Sequence, residues 1–374
     1  MIDMAILGAT PAGLAAAYVL AARGCEVTVI DTPSSGSDCP LSDWTPSGTF
    51  NLRDLPKSLA RRCGARAFRS VSYHSAKLDV RANHRSRSIL GYFVVPDRLC
   101  AALADEAASA GAKTRSFRAT PTIRLNENKV VIGGSRGIRA RLLLLTRGSA
   151  SEAMTSLSLH GHSPERSTLA AAGLDIPLGR SRRGTASSSD GPVLHIVEMP
   201  RRTDLGMFFT SGATLHVRTI SSAPDSSAHT SYLSSLTGSL QEAGLLPRRL
   251  ALGRASGAFW RPQAGVALEM GRHIAKRCLL AGSAGGFAAP VTGQTLYASV
   301  YSGLLAARCA WSALDGPDAD VQKALMGFRT TWRNAFAQYL CPPGTNLQML
   351  LPLLFANQRV VPRFTRALLE GRKI

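Results

Sequence analysis

An α/β (α+β) chain, with a Rossmann-like domain, a second mixed or antiparallel sheet and a helical C-terminal tail, is the fold class that three stretches of this sequence predict. The first is Met4-Ala-Ile-Leu-Gly-Ala-Thr-Pro-Ala-Gly13, followed by an apolar helix and Glu26-Val-Thr-Val-Ile-Asp31, a complete strand–turn–helix–strand unit. The second is Leu279-Leu-Ala-Gly-Ser-Ala-Gly-Gly-Phe-Ala-Ala-Pro290-Val-Thr-Gly-Gln-Thr-Leu-Tyr297, which repeats that pattern of strand, small-residue turn and helix start. Between them, Val193 to Met199, Gly206 to Thr210 and Thr214 to Ile220 alternate with the period of antiparallel strands.

Each part of the first stretch has a physical reason. A strand ending at Gly8 needs glycine for a tight turn. Gly13 lets the helix pack close, with Pro11 and Ala12 in its first turn, and bring its N–H groups and positive dipole end against a pyrophosphate. Thr10 stands at the middle position of G-x-G-x-x-G, where its Cβ narrows the room for phosphates and its hydroxyl is available to donate to one. Asp31 ends the second strand about twenty residues later, where a carboxylate accepts from ribose hydroxyls. From Thr32 to Pro40 a turn-forming cluster leaves the sheet and is expected to pass near the nucleotide.

The remaining elements follow in order. Leu52 to Arg69 reads as a basic helix, and Val71, Tyr73, Leu78 and Val80 suggest short strands. Gly91 to Val95 is β-branched, and Pro96-Asp97 starts a helix that Gly111 stops. Short strands are expected at Lys113 to Arg118, Thr122 to Leu125 and Lys129 to Ile132, and Ala140 to Thr146 is a buried strand returning to the first sheet. Gly148 to Pro192, rich in Ser, Ala, Gly and Arg, reads as a loop-rich crossover. Ser231 to Ala243 is an amphipathic helix, while Ala251 to Phe259 and Val266 to Met270 are expected strands. Gly293 to Leu314 is a long apolar helix, and the tail from Asp318 is helical with Phe328, Trp332, Phe336 and Tyr339. The domains expected are residues 1–150 together with 272–315 for the nucleotide, 151–271 for the substrate and 316–374 as a helical segment, with parts of 60–100 joining the substrate sheet.

Composition sets bounds. A chain of 374 residues, 45% apolar, has length for a sizeable core, and no run of about 18 uncharged apolar residues suggests a membrane span. No basic leader precedes the first strand, so the cytoplasm is the expected compartment. Seven scattered cysteines without C-x-x-C pairs argue against a disulfide framework or a zinc site. Lys and Arg outnumber Asp and Glu by 44 to 24, a net +20 that favours polyanions or acidic partners. With no helix-turn-helix, zinc finger or interleaved aromatics to read bases, nucleic acid is not the expected partner.

On the two glycine-rich motifs the chain resembles the p-hydroxybenzoate-hydroxylase-like FAD-dependent oxidoreductases, most closely their geranylgeranyl-reductase and tryptophan-halogenase branches, over most of its length. The resemblance implies FAD as cofactor. In that family the late strand ends in Gly-Asp-Ala and a Pro-x-x-Gly-x-Gly helix start lies against the flavin; here Gly282, Pro290 and Gly293 match, Ser283 replaces Asp, and Thr295 follows Gln294 in place of the last glycine. The family's Arg-bearing helix corresponds to Pro96-Asp-Arg98-Leu, and its Ala-Asp-Gly strand ending appears as Thr146-Arg147-Gly148. The candidate cofactor-binding residues are therefore Gly8, Thr10, Pro11, Ala12, Gly13, Asp31, Thr32, Arg98, Gly282, Ser283, Pro290, Gly293, Gln294 and Thr295.

Catalytic side chains stay unassigned, because a flavin carries the hard chemistry and the protein supplies orientation, a dry pocket and donors. The halogenases' Trp-x-Trp-x-Ile-Pro segment is absent. His195, His216, His273, Phe259 and Trp260 are candidates to line the pocket, with core packing as the alternative for each. His160-Gly-His162 has no third metal ligand spaced nearby. The resemblance implies a monooxygenase hydroxylating an aromatic substrate, with NAD(P)H or an external reductase as donor. A reductase or dehydrogenase of the geranylgeranyl-reductase type, or a flavin-fold binding protein, are the alternatives. Some similar flavoproteins hydroxylate a tryptophan within a partner polypeptide during quinone-cofactor maturation, which the charge of +20 would suit if that partner is acidic.

Overall fold

The computed structural model describes residues 1–32, 40–134, 137–147, 169–178, 191–200, 204–222, 226–341 and 350–372. The chain opens with β1 (Ile2–Leu7), α1 (Pro11–Ala21), β2 (Val27–Asp31), β3 (Asp43–Pro46), α2 (Leu59–Arg62), β4 (Arg66–Phe68), β5 (Ser70–His74), β6 (Arg81–Arg85) and β7 (Gly91–Val94). Next come α3 (Pro96–Ser109), β8 (Lys113–Ser116), β9 (Ile123–Leu125), β10 (Val130–Ile132), β11 (Ile138–Leu145), β12 (Ala170–Pro177), β13 (Val193–Glu198), β14 (Leu205–Ser211), β15 (Thr214–Ser221) and α4 (Ser226–Glu242). The remainder is β16 (Ser256–Trp260), α5 (Val266–Glu269), β17 (Ile274–Ala275), β18 (Cys278–Leu280), α6 (Leu296–Asp315), α7 (Val321–Leu340), α8 (Leu351–Ala356) and α9 (Val361–Glu370).

The first sheet has the order β17-β18-β11-β1-β2-β8, parallel from β18 to β8. Its central strand is apolar toward both faces, as a parallel strand covered on both sides must be. One face packs Met4, Ile6, Val29 and Leu144 against α1, α3, α6 and α7, and Phe328, Trp332, Phe336 and Tyr339 are the buried aromatics of α7. The other face packs Leu7, Ile30 and Leu143 against β9 and β10, which fold back antiparallel from β11. The second sheet has the order β16-β12-β15-β14-β13-β5-β6, and a small third sheet, β3-β7-β4, lies over it. Strand alternation gives the second sheet two distinct faces. Phe208, Leu215 and Val217 pack on Leu233, Leu236 and Leu240 of α4. Tyr73, Ile196, Met207 and Phe209 pack on Trp44, Phe68 and Phe93 of the third sheet and on α8 and α9.

Three local expectations are corrected. The stretch read as a loop-rich crossover contains β12, paired in the interior of the second sheet with β15 and β16. Its run of Ala170-Ala-Ala-Gly has no polar alternation, so only the neighbouring strands reveal it. Val266 to Met270 is helical over Val266–Glu269, entered from Gly265 at φ 72°. The basic helix at Leu52 to Arg69 shrinks to α2, because Gly64 at φ 68° ends it and the chain turns into β4. His160, His162, residues 33–39 and the Pro342-Pro343 break lie outside the described residues.

His74 and His195 share a hydrogen bond, Nε2 to Nδ1 at 3.0 Å, on the face covered by α4, where His195 stacks on Phe208 at 4.2 Å. Burial pushes His74 down to about 4 and His195 down to about 3, from the ordinary 6.5. Because both folded values lie below the unfolded one, the stability that depends on the neutral rings is complete above about pH 6.5 and is lost as pH falls toward 4. The urea midpoint is therefore expected to hold from pH 8 to 7 and to fall from about pH 6 to 4. Replacing both rings by Phe should flatten that slope; an unchanged slope would assign acid sensitivity elsewhere.

Candidate functional site

Two glycine-rich turns meet at the C-terminal edge of the first sheet, and Thr146 joins them. In the first turn an added Cβ on Gly13 would lie 2.2 Å from the carbonyl oxygen of Gly8, so α1 can start this close to β1 only with glycine there. The Thr10 side chain caps the helix, its Oγ1 accepting from the Gly13 N–H at 3.2 Å. Its proton goes to Thr146 Oγ1 at 2.9 Å, and Thr146 in turn donates to Leu7 O and Gly8 O at 3.1 and 3.0 Å. The Thr10 hydroxyl is thus turned inward, and the expectation that it donates to a phosphate is corrected. The donors left for an anion are backbone: the N–H groups of Thr10 and Ala12 have no acceptor among the described residues, while Pro11 contributes none.

The second turn follows β18 as Gly282–Gly285. Gly282, at φ 57°, lies so near β11 that a Cβ would stand 2.7 Å from Thr146 O. Its N–H donates to Ser302 Oγ on α6 at 2.9 Å, and Ser283 Oγ approaches Thr146 O at 3.4 Å. His273 Nε2 donates to Gly285 O at 3.0 Å, so this histidine supports the turn from beneath instead of lining a pocket. Further on, Gly293 (φ 61°) closes a tight loop in which its N–H reaches Ala289 O and the Ala289 N–H reaches Gln294 O. The buried Gln294 amide is engaged on both ends: Nε2 donates to Trp44 O at 3.0 Å, and Oε1 accepts from the Tyr297 N–H and the Tyr339 hydroxyl at 3.3 and 3.0 Å. It fixes the loop carrying Pro290 and Thr295 against β3, α6 and α7.

At the end of β2, Asp31 faces Arg147, whose Nη1 lies 3.7 Å from the carboxylate and donates to Thr32 O at 2.8 Å. Arg147 thus places a cation beside the Asp31 carboxylate at this edge. Arg98 is exposed in the first turn of α3, with its guanidinium beside Gly64. A Thr146→Val variant keeps the shape and removes the hydroxyl that ties the turns together. It is expected to lose about 1–3 kcal/mol of stability in urea unfolding, since Thr10 and two carbonyls lose a buried partner.

Between the second and third sheets lies a layer of aromatic rings. Phe93 stacks on Phe209 at 4.3 Å and 6°, Phe209 stacks on His216 at 4.6 Å, and Trp44 is the register partner of Phe93. Trp260 and Val291, from the second turn's loop, pack on the same cluster. Of the histidines singled out from sequence, only His216 faces this layer; His195 faces α4, and Phe259 is 38% exposed. Trp44 carries no local motif, and Thr146, Tyr297 and Tyr339 stand in separate stretches of the sequence, so it does not show that they meet Thr10 and Gln294. Among the described residues no cluster of three or more His, Cys, Asp or Glu suits a metal ion, and no helix is long and apolar enough to cross a membrane.

No family model and no curated protein matches the sequence. Solved structures do match. A geranylgeranyl bacteriochlorophyll reductase-like protein from Thermoplasma acidophilum superposes with TM-score 0.72 at 16% identity, over 90% of this chain and 84% of that one. A triple mutant of the flavin-dependent brominase Bmp2 gives 0.69 at 13% identity over 100% and 96%. CtdE, in complex with FAD and a substrate, gives 0.67 at 14% over 98% and 90%. The chain has the fold of these flavin-dependent proteins, a Rossmann-like sheet joined to a second mixed sheet and a helical C-terminal part.

Proposed function

We propose that this chain is an FAD-dependent monooxygenase that hydroxylates an aromatic substrate, with NAD(P)H or a separate reductase as electron donor. The observation that carries the reading is the convergence of the two turns, with the Thr10 and Ala12 N–H groups, which have no acceptor among the described residues, and the Arg147 guanidinium at one edge of the sheet. These donors fit a diphosphate, Asp31 fits ribose hydroxyls, and the 290–295 loop fits the flavin ring. When bound, FAD supplies the redox chemistry. The chain's own residues orient both partners and exclude water, and Trp260 and Val291, partly buried over the aromatic layer, give an apolar wall beside the 290–295 loop.

The charge of +20 supports a substrate presented on an acidic peptide or protein, such as a tryptophan side chain awaiting conversion to a quinone cofactor. Exposed Arg81 and Arg87 near β6 and exposed Arg363 and Arg366 on α9, which packs against β6, give that attraction a surface. The likeness to the Thermoplasma protein favours a second reading, a reductase acting on an apolar chain. Oxygen uptake with added FAD and NAD(P)H separates the two. Uptake that depends on an aromatic substrate, and falls steeply with salt when that substrate is an acidic polypeptide, is the expected result. Reduction of an apolar alkene without oxygen uptake would replace the monooxygenase reading.

A further inference from the structure

A cleft of about 670 Å³ opens on the first sheet, at the edge away from both glycine-rich turns. Ile2 at the start of β1 lines it, and Gly8 follows the other end of that strand, about 20 Å away at the rise of a β-strand. One wall is β2 and β8, through Glu26, Thr28, Lys113 and Arg115, and the other is the start of β11, through Ile138 and Arg139.

Register brings these groups together. Thr28 pairs with Lys113 and Ile30 with Arg115, and neighbouring register partners point to the same face of a sheet. Ile30 and Ile138 share one buried cluster with β9 and β10, so the cleft lies on the face over which those two strands fold. Thr28 is 4% exposed, and its hydroxyl has no hydrogen-bond partner among the described residues. Three cations meet one carboxylate here. Lys113 Nζ lies 3.5 Å from Glu26 Oε1, whereas Arg115 and Arg139 have no ion pair and no side-chain hydrogen bond among the described residues. Exposed arginines occur elsewhere on a chain of net charge +20, but these two flank a concave space that also holds a buried hydroxyl and an apolar floor of Ile2 and Ile138.

A guanidinium's fork of donors fits phosphate oxygens in pairs, so two guanidiniums with an ammonium nearby suit a diphosphate. The volume falls within the range of small-molecule sites and exceeds what a bare phosphate fills. We infer that this cleft binds an organic diphosphate of nucleotide size, with the phosphates held by Arg115 and Arg139, the sugar on Thr28 and the base over Ile2 and Ile138. A ligand held there lies the length of β1 from the two turns, too far to exchange a hydride with a cofactor bound at them. It is therefore an effector and not the electron donor, and the inference does not depend on the flavin reading.

The test titrates the full chain with UDP, uridine and inorganic pyrophosphate by calorimetry at low salt, and follows backbone hydrogen exchange with and without UDP. UDP is expected to bind at least about tenfold more tightly than uridine, which lacks the charge, and more tightly than pyrophosphate, which leaves the apolar floor uncovered. Exchange should slow at residues 26–28, 113–115 and 137–139 and stay unchanged at Gly8 to Gly13. Arg115→Ala with Arg139→Ala should weaken UDP about tenfold while leaving FAD uptake as in the wild type. Arg254→Ala with Lys323→Ala, an equal loss of charge from exposed positions elsewhere, should leave UDP binding unchanged. Absence of UDP binding, UDP no tighter than uridine or pyrophosphate, protection at Gly8 to Gly13 in place of the cleft, or equal weakening in the two double variants would each overturn the site. Protein that rejects FAD yet binds UDP at the cleft supports the site while refuting the flavin reading, and protein that takes up FAD without binding UDP does the reverse.

Discussion

Gly13→Val is expected to abolish FAD binding and to destabilise the fold by more than about 3 kcal/mol, the range in which overpacking of a close contact is no longer absorbed. The added Cβ would fall 2.2 Å from Gly8 O and 3.0 Å from both Ile6 Cγ2 and Thr146 Oγ1. None of these can yield without shifting β1 or breaking the Thr146 bonds to Leu7 and Gly8. The start of α1 would move off the sheet edge, carrying away the Ala12 N–H proposed above as a donor to the diphosphate. Urea unfolding and FAD titration of the refolded variant check this together. A variant of unchanged stability that takes up FAD with unchanged affinity would remove the first turn from the cofactor site.

Asp175→Ala carries the second largest effect. Arg218 is 2% exposed, and Asp175 is the carboxylate that compensates it. Removing one partner of a buried ion pair leaves an uncompensated charge, which costs about 3–5 kcal/mol. Burial raises the Asp175 pKa, but the His216 contact and the Arg218 charge outweigh it and hold the carboxyl at about 2. The pair's contribution is accordingly complete above about pH 4 and lost as pH falls toward 2. Asp175→Ala should lower the urea midpoint strongly, while Asp175→Leu with Arg218→Met should recover most of the loss. A change of under about 0.5 kcal/mol in the single variant would show the charge to be hydrated instead of buried.

Much of the first sheet was legible because its signals are local: β1 and β2 are short apolar runs, Gly13 and Gly24 punctuate the helix between them, and Asp31 closes the unit. The late motif at Gly282 to Thr295 was legible for the same reason. What stayed hidden is set by partners distant in sequence. β12 has three alanines and a glycine in a row, and only its pairing with β15 and β16 makes it a strand. Gln294 reads as part of a cofactor motif, yet its amide is committed to Trp44, Tyr297 and Tyr339. Thr10 looked like a substitute for glycine at a phosphate, and Thr146, 136 residues away, captures its hydroxyl. Arg147 looked like a departure from a family pattern; beside Asp31 it becomes part of the charge balance of the same edge.

FAD is expected to bind at the edge formed by Gly8 to Gly13, Asp31, Arg147 and Gly282 to Thr295. The most direct measurement is the visible absorbance of the purified protein after incubation with excess FAD and removal of unbound cofactor, alongside Arg147→Ala. The wild-type protein is expected to retain one flavin per chain, and Arg147→Ala, which leaves Asp31 facing the diphosphate alone, to bind about tenfold more weakly. A folded wild-type protein that stays colourless under saturating FAD would contradict the account.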